Sequence, residues 1–81
     1  MMTFKTASGS VYEVDHATSR IRRISGTRPP TNSQGKDGEW RQFHSAFIQL
    51  GSCAMIGWAS EKRWLQTNIV TEVSDASLAV N

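Results

Sequence analysis

Hydrophobic and polar positions alternate along most of this chain with the two-residue period of β-strands. Thr3-Phe4-Lys5-Thr6 is a short β-prone run, Ser8-Gly9 is a turn signal, and Val11, Tyr12 and Val14 form a second run ending at Asp15. Residues 3–15 therefore read as a β-hairpin. After a polar connection at 16–19, Arg20 to Ser25 gives a third strand. Its Ile21 and Ile24 lie three apart, a spacing that a β-bulge would reconcile with a single apolar face. Cys53 to Trp58 reads as a buried strand with Ala54, Ile56 and Trp58 on one side. Trp64 to Val73 is the longest run, and its alternation assigns Leu65, Ile69 and Val73 to the core.

Residues 39–52 fit two templates. Trp40, Phe43, Phe47 and Leu50 fall at helical 3-4-3 spacing, and Asp37 is placed to cap such a helix. The rival is a strand over 39–44 followed by a loop. We favour the strand and keep a short helix within 41–50 open. Gly26 to Gly38 is a loop: Pro29 and Pro30 cannot donate to a ladder, and the stretch has no hydrophobic side chain. Six short strands at regular spacing predict an all-β fold, a small SH3-like barrel or a sandwich, with closure into a barrel the economical way to remove exposed edges. The reading gives one domain over 1–73 and a C-terminal tail over 74–81.

Composition narrows the class. Eighty-one residues make room for one domain. A single cysteine excludes an intrachain disulfide. Cys53, His16 and His44 lack the paired spacing of a zinc site, so neither metal nor other cofactor is expected. Chains this short commonly lean on a disulfide, a metal or a partner subunit, which leaves a homo-oligomer as an even wager. No apolar run reaches the length of a membrane helix, and the Met-Met-Thr-Phe-Lys start lacks a signal-peptide core, so a cytoplasmic protein is expected.

The residues that carry chemistry elsewhere do not form a motif here. Cys53 and His44 could make a nucleophile–base pair from neighbouring strands, but Cys53 reads better as a small apolar strand residue. Asp15-His16 reads as a turn in which Asp15 accepts backbone N–H bonds. Gln34-Gly35-Lys36-Asp37 fails the phosphate-loop pattern, since Pro30 stands where a glycine is needed and Asp37 where Ser or Thr is needed. A binding protein is expected rather than an enzyme.

Charge placement says more than its total. The net +2 is the sum of a middle segment and the rest. Residues 20–41 hold Arg20, Arg22, Arg23, Arg28, Lys36 and Arg41 against Asp37 and Glu39, a local +4; the remainder sums to −2. Arginine forks suit phosphate, and bases stack on aromatic rings. Arg20, Arg22, Arg23, Arg28 and Lys36, with Tyr12 or Trp40 stacking, are therefore the candidate site for an anionic ligand, a nucleotide or a nucleic acid. Reversing Arg22 and Arg23 together is expected to abolish binding and spare the fold. The competing explanation is a solvated strand face whose arginine stems cover apolar surface. Of the tryptophans, Trp58 reads as core. Trp40 and Trp64 read as rim residues that either pack inward or anchor an interface.

The runs Val11-Tyr12-Glu13-Val14-Asp15, Arg22-Arg23-Ile24-Ser25-Gly26, Asp37-Gly38-Glu39-Trp40, Leu50-Gly51 and Ile56-Gly57-Trp58, continued by Trp64, Thr67 and Val70-Thr71-Glu72-Val73, resemble those of small accessory proteins encoded by phages of actinobacteria. Phe43, His44 and Phe47 depart from that pattern. The resemblance implies a setting, a phage product in a bacterial cytoplasm, and no mechanism. In that setting the leading expectation is a non-catalytic protein that binds and blocks a host-side anionic target, such as a nucleotide signal of a defence system. The alternatives are a protein–protein inhibitor of a host enzyme, working through an edge strand or the 26–38 loop, and a small virion or assembly component.

Overall fold

The computed structural model describes residues 1–26, 37–60 and 62–75. They form six strands: β1 Met2–Thr6, β2 Val11–Asp15, β3 Arg20–Ser25, β4 Arg41–Phe47, β5 Cys53–Trp58 and β6 Trp64–Asp75. Each pairs antiparallel with the next, and β6 returns to β1, closing a barrel in the order β1-β2-β3-β4-β5-β6. The small all-β barrel expected from the alternation is thus the fold. The 3–15 hairpin is present, with Gly9 N–H and Thr6 N–H bonded to Thr6 and Ser10 carbonyls in the turn.

The core is Phe4, Tyr12, Val14, Ile21, Phe43, Ala54, Ile56, Trp58, Leu65 and Val70. Ala54, Ile56 and Trp58 face inward together, as their alternation predicts. The strand favoured over the helix in 39–52 is present, and two other expectations change, each at a bulge. Residues 39–52 hold no helix: β4 is a strand, and an extra residue between Phe43↔Trp58 and Ser45↔Gly57 reverses its phase. Phe43 is core while Phe47 is 65% exposed, so the 3-4-3 spacing is the mark of a bulged strand and not of a helical face. On β6 the step from Met55↔Gln66 to Cys53↔Ile69 spends three residues against two. The core face is therefore Leu65, Thr67 and Val70, with Ile69 turned outward; Val73 lies opposite Phe4 on the inward face and stays 40% exposed. On β3 the bulge exists, between Val11↔Ser25 and Tyr12↔Arg23, but it does the reverse of what the isoleucines suggest. Arg23 takes the buried position and Ile24 is exposed. β6 also runs on to Asp75, pairing Ser74 with Thr3 and Asp75 with Met2, two residues into the stretch read as a tail.

One seam is short. β3 and β4 share only Arg20↔Gln42 and Ile21↔Arg41. Beyond them the chain at 37–40 covers the open side of β3, with Gly38 N–H donating to the Arg23 carbonyl at 2.7 Å.

Candidate functional site

The alternation of β3 sends Arg20 and Arg22 to the outer surface and Ile21 and Arg23 inward. Trp40 stands where the β3–β4 seam opens. The Arg22 guanidinium lies 4.5 Å from its ring centroid and that of Arg20 5.7 Å, both within cation–π range. Arg20, Arg22 and Trp40 thus form one ridge. Three of the candidate residues come together, then, through the two-residue period of β3 and the short seam.

The ridge is less cationic than the sequence suggests. Register places Glu13 opposite Arg22 and Asp15 opposite Arg20. Glu13 Oε1 accepts from Arg22 Nε at 2.8 Å and lies 2.6 Å from Nη2. Arg20 donates through Nε to the Thr18 hydroxyl at 3.2 Å. Asp15 accepts from the Ala17 amide at 3.1 Å, as its turn reading requires. Its carboxyl is held below the usual range, chiefly by the Thr18 hydroxyl, with the Thr18 and Ala17 amides and the Arg20 charge adding to the effect.

Tyr12 and Arg23 sit elsewhere. Tyr12 is a core residue stacked on Phe4 with ring centroids 4.8 Å apart, so no base can reach it. Arg23 is 2% exposed and donates through Nη1 to Asp37 Oδ1 at 2.9 Å. Its guanidinium lies against Gly26, where a Cβ would collide with it. Arg23 thereby ties together both described ends of the 26–38 loop, Gly26 on one side and Asp37-Gly38 on the other. It is a structural latch, and reversing its charge would break the fold rather than spare it. Arg28 and Lys36 lie outside the described residues.

On the other side of the barrel, the outer face of β4-β5-β6 has a different character. Directly opposed residues share a face. The rows are Ser45–Gly57–Trp64, Phe47–Met55–Gln66 and Cys53–Ile69, none of them charged. The Trp64 ring stacks on Phe47 at 6.4 Å and 20°, and meets His44 edge-on at 5.7 Å. Gly57 leaves the space that the His44 ring occupies. Neither this cluster nor its exposure was readable from the sequence, because it depends on the β4 bulge that turns Phe47 out.

No acid–base pair emerges from the earlier candidates. Cys53 starts β5 and Gly57, beside His44, is four residues on, about 13 Å at the usual strand rise. His44 Nδ1 instead meets the Ser45 hydroxyl at 3.1 Å. A depression of about 400 Å³ is lined by Arg41, Gln42, Ala59 and Ser60, with Arg41 the one ionisable group among the described residues there. Among the described residues no three of His, Cys, Asp and Glu cluster to hold a metal, and no helix is long and apolar enough to cross a membrane. Closure of β1 on β6 leaves neither terminal strand as a free edge, so strand addition would have to use the β3–β4 seam. The chain matches no protein-family model, no curated protein and no solved structure.

Proposed function

We propose that this chain is a non-catalytic binding protein of the phage-accessory kind. It engages an anionic host-side target, a nucleotide or a single-stranded nucleic acid, in the bacterial cytoplasm. The observation that carries this reading is the surface ridge in which two guanidiniums reach the ring of Trp40, with Arg20 exposed and Arg22 and Trp40 half-buried. A base stacks on the indole and Arg20 meets its phosphate. Arg22 joins by exchanging the Glu13 carboxylate for a phosphate oxygen. Arg28 and Lys36 follow β3 in sequence and belong to the same basic segment; they would add long-range attraction.

This mode has quantitative consequences. Two phosphate contacts to a single strand give a salt slope of about −1.4, at about 0.7 per contact. Trp40→Ala removes a stacking platform of about 1–3 kcal/mol, a loss of roughly 5- to 150-fold in affinity. The test is fluorescence anisotropy of a labelled single-stranded oligonucleotide, with a mononucleotide as competitor. Saturable binding that Trp40→Ala and Arg20→Ala each weaken supports the reading. Wild-type-like binding by both variants, or no binding at low salt, contradicts it.

A further inference from the structure

We infer that the uncharged outer face of β4-β5-β6 is a homodimer interface, and that a second copy of this chain covers it. Phe47 and Trp64 stack on one another there while 65% and 45% exposed, and Ile69 in the neighbouring row is 47% exposed. Leu50, in the connection from β4 to β5, is a further large apolar side chain at the surface, 61% exposed. Contiguous apolar surface of this kind marks an interaction site. Aromatic residues and methionine are enriched at the centres of interfaces and charges are depleted there.

The choice of occupant rests on charge. In an isologous contact each residue near the two-fold axis faces its own counterpart, so any charge there would oppose a like charge. The three rows of this face contain no Asp, Glu, Lys or Arg. Three ion pairs lie off these rows: Lys5–Glu72, farther along β6 at its seam with β1, Arg22–Glu13 and Arg23–Asp37. A face stripped of charge is complementary to itself. It offers nothing with which to steer or select a charged foreign partner. With its ring set over Gly57 and braced against Trp64, His44 fixes the aromatic cluster for face-to-face contact of two identical sheets. The arginine–tryptophan ridge on β3 lies outside this interface, so each copy would present its own.

The test is native mass spectrometry with analytical ultracentrifugation of the purified protein across a dilution series. The expected species is the dimer, twice the 9.0 kDa chain, dissociating on dilution. Phe47→Glu places a carboxylate at the centre of the face and is expected to give the 9.0 kDa monomer with an unchanged far-ultraviolet circular dichroism spectrum. Gln66→Arg, at an exposed position that is already polar, keeps every apolar group and is expected to shift the equilibrium toward monomer, so the idea stays testable if Phe47→Glu misfolds. A wild-type chain that is monomeric at every concentration overturns the inference, and so does a dimer that persists in both variants. In the first case the face is left for a protein of another kind.

Discussion

At the scale of single residues, Arg23 carries more of the fold than any other polar side chain described. Its stem and head are buried, its carbonyl accepts from Gly38, and its guanidinium holds Asp37. An arginine between Arg22 and Ile24 gives no sign of this: Arg20, Arg22 and Arg23 look alike in composition, the phase set by Ile21 turns Arg23 inward, and the bulge beyond it leaves Ile24 outside. Asp37→Ala should lower stability by about 1–3 kcal/mol in urea melts, since a buried cation loses a carboxylate partner. Gly26→Ala should cost a comparable amount by forcing the guanidinium aside. A change in either variant of under a few tenths of a kcal/mol would mean that the latch is not closed in solution. Asp15 makes a pH-dependent contribution. Its folded carboxyl titrates below the unfolded value, so the stabilisation is present above the unfolded pKa and fades as pH falls through the folded one. Asp15→Asn should remove that fading, seen as a smaller drop in urea midpoint between about pH 5 and pH 3.

At the scale of elements, strands were legible wherever alternation is unbroken and illegible where a bulge resets it. β1, β2 and β5 follow their sequence pattern. β4 carries one extra residue and β6 two, the second against β1 between Thr6↔Val70 and Lys5↔Glu72, and at each the side chains beyond swap faces. Sequence periodicity assumes a constant phase, so it misassigns Ile69 even though it finds the strand, and it places Val73 on the right face only because the second bulge restores the phase. Thr67 shows how the β6 bulge is accommodated. Its hydroxyl accepts from the Ala54 amide at 3.0 Å and donates to the Asn68 carbonyl at 2.7 Å, replacing a ladder bond that the irregular register removes. Thr67→Val, nearly isosteric, should therefore destabilise by about 1–3 kcal/mol by leaving a buried N–H unpaired. Thr67→Ser should retain most of the stability. Equal melting of Thr67→Val and wild type would show that the bulge does not need the hydroxyl.

At the scale of the whole molecule, the closed barrel presents two surface regions of different character. The arginine–tryptophan ridge lies on β3 and its seam with β4, and the uncharged aromatic face lies on β4-β5-β6. Net charge counted along the chain points to the first region and overstates it, because cross-strand Glu13 pairs with its Arg22 and Arg23 is buried against the loop-end Asp37. Such pairing depends on register, which charge counting along a sequence does not include. The same pairing gives the sharpest handle on function. If the ridge binds phosphate, Glu13 competes with the ligand for Arg22, and removing its charge frees that guanidinium. The decisive measurement is the affinity of Glu13→Gln for a labelled single-stranded oligonucleotide beside wild type in the same low-salt buffer. The ridge reading predicts tighter binding, with a salt slope steeper by about 0.7 if wild type holds Arg22 back. Unchanged or weaker binding by a folded Glu13→Gln would contradict it.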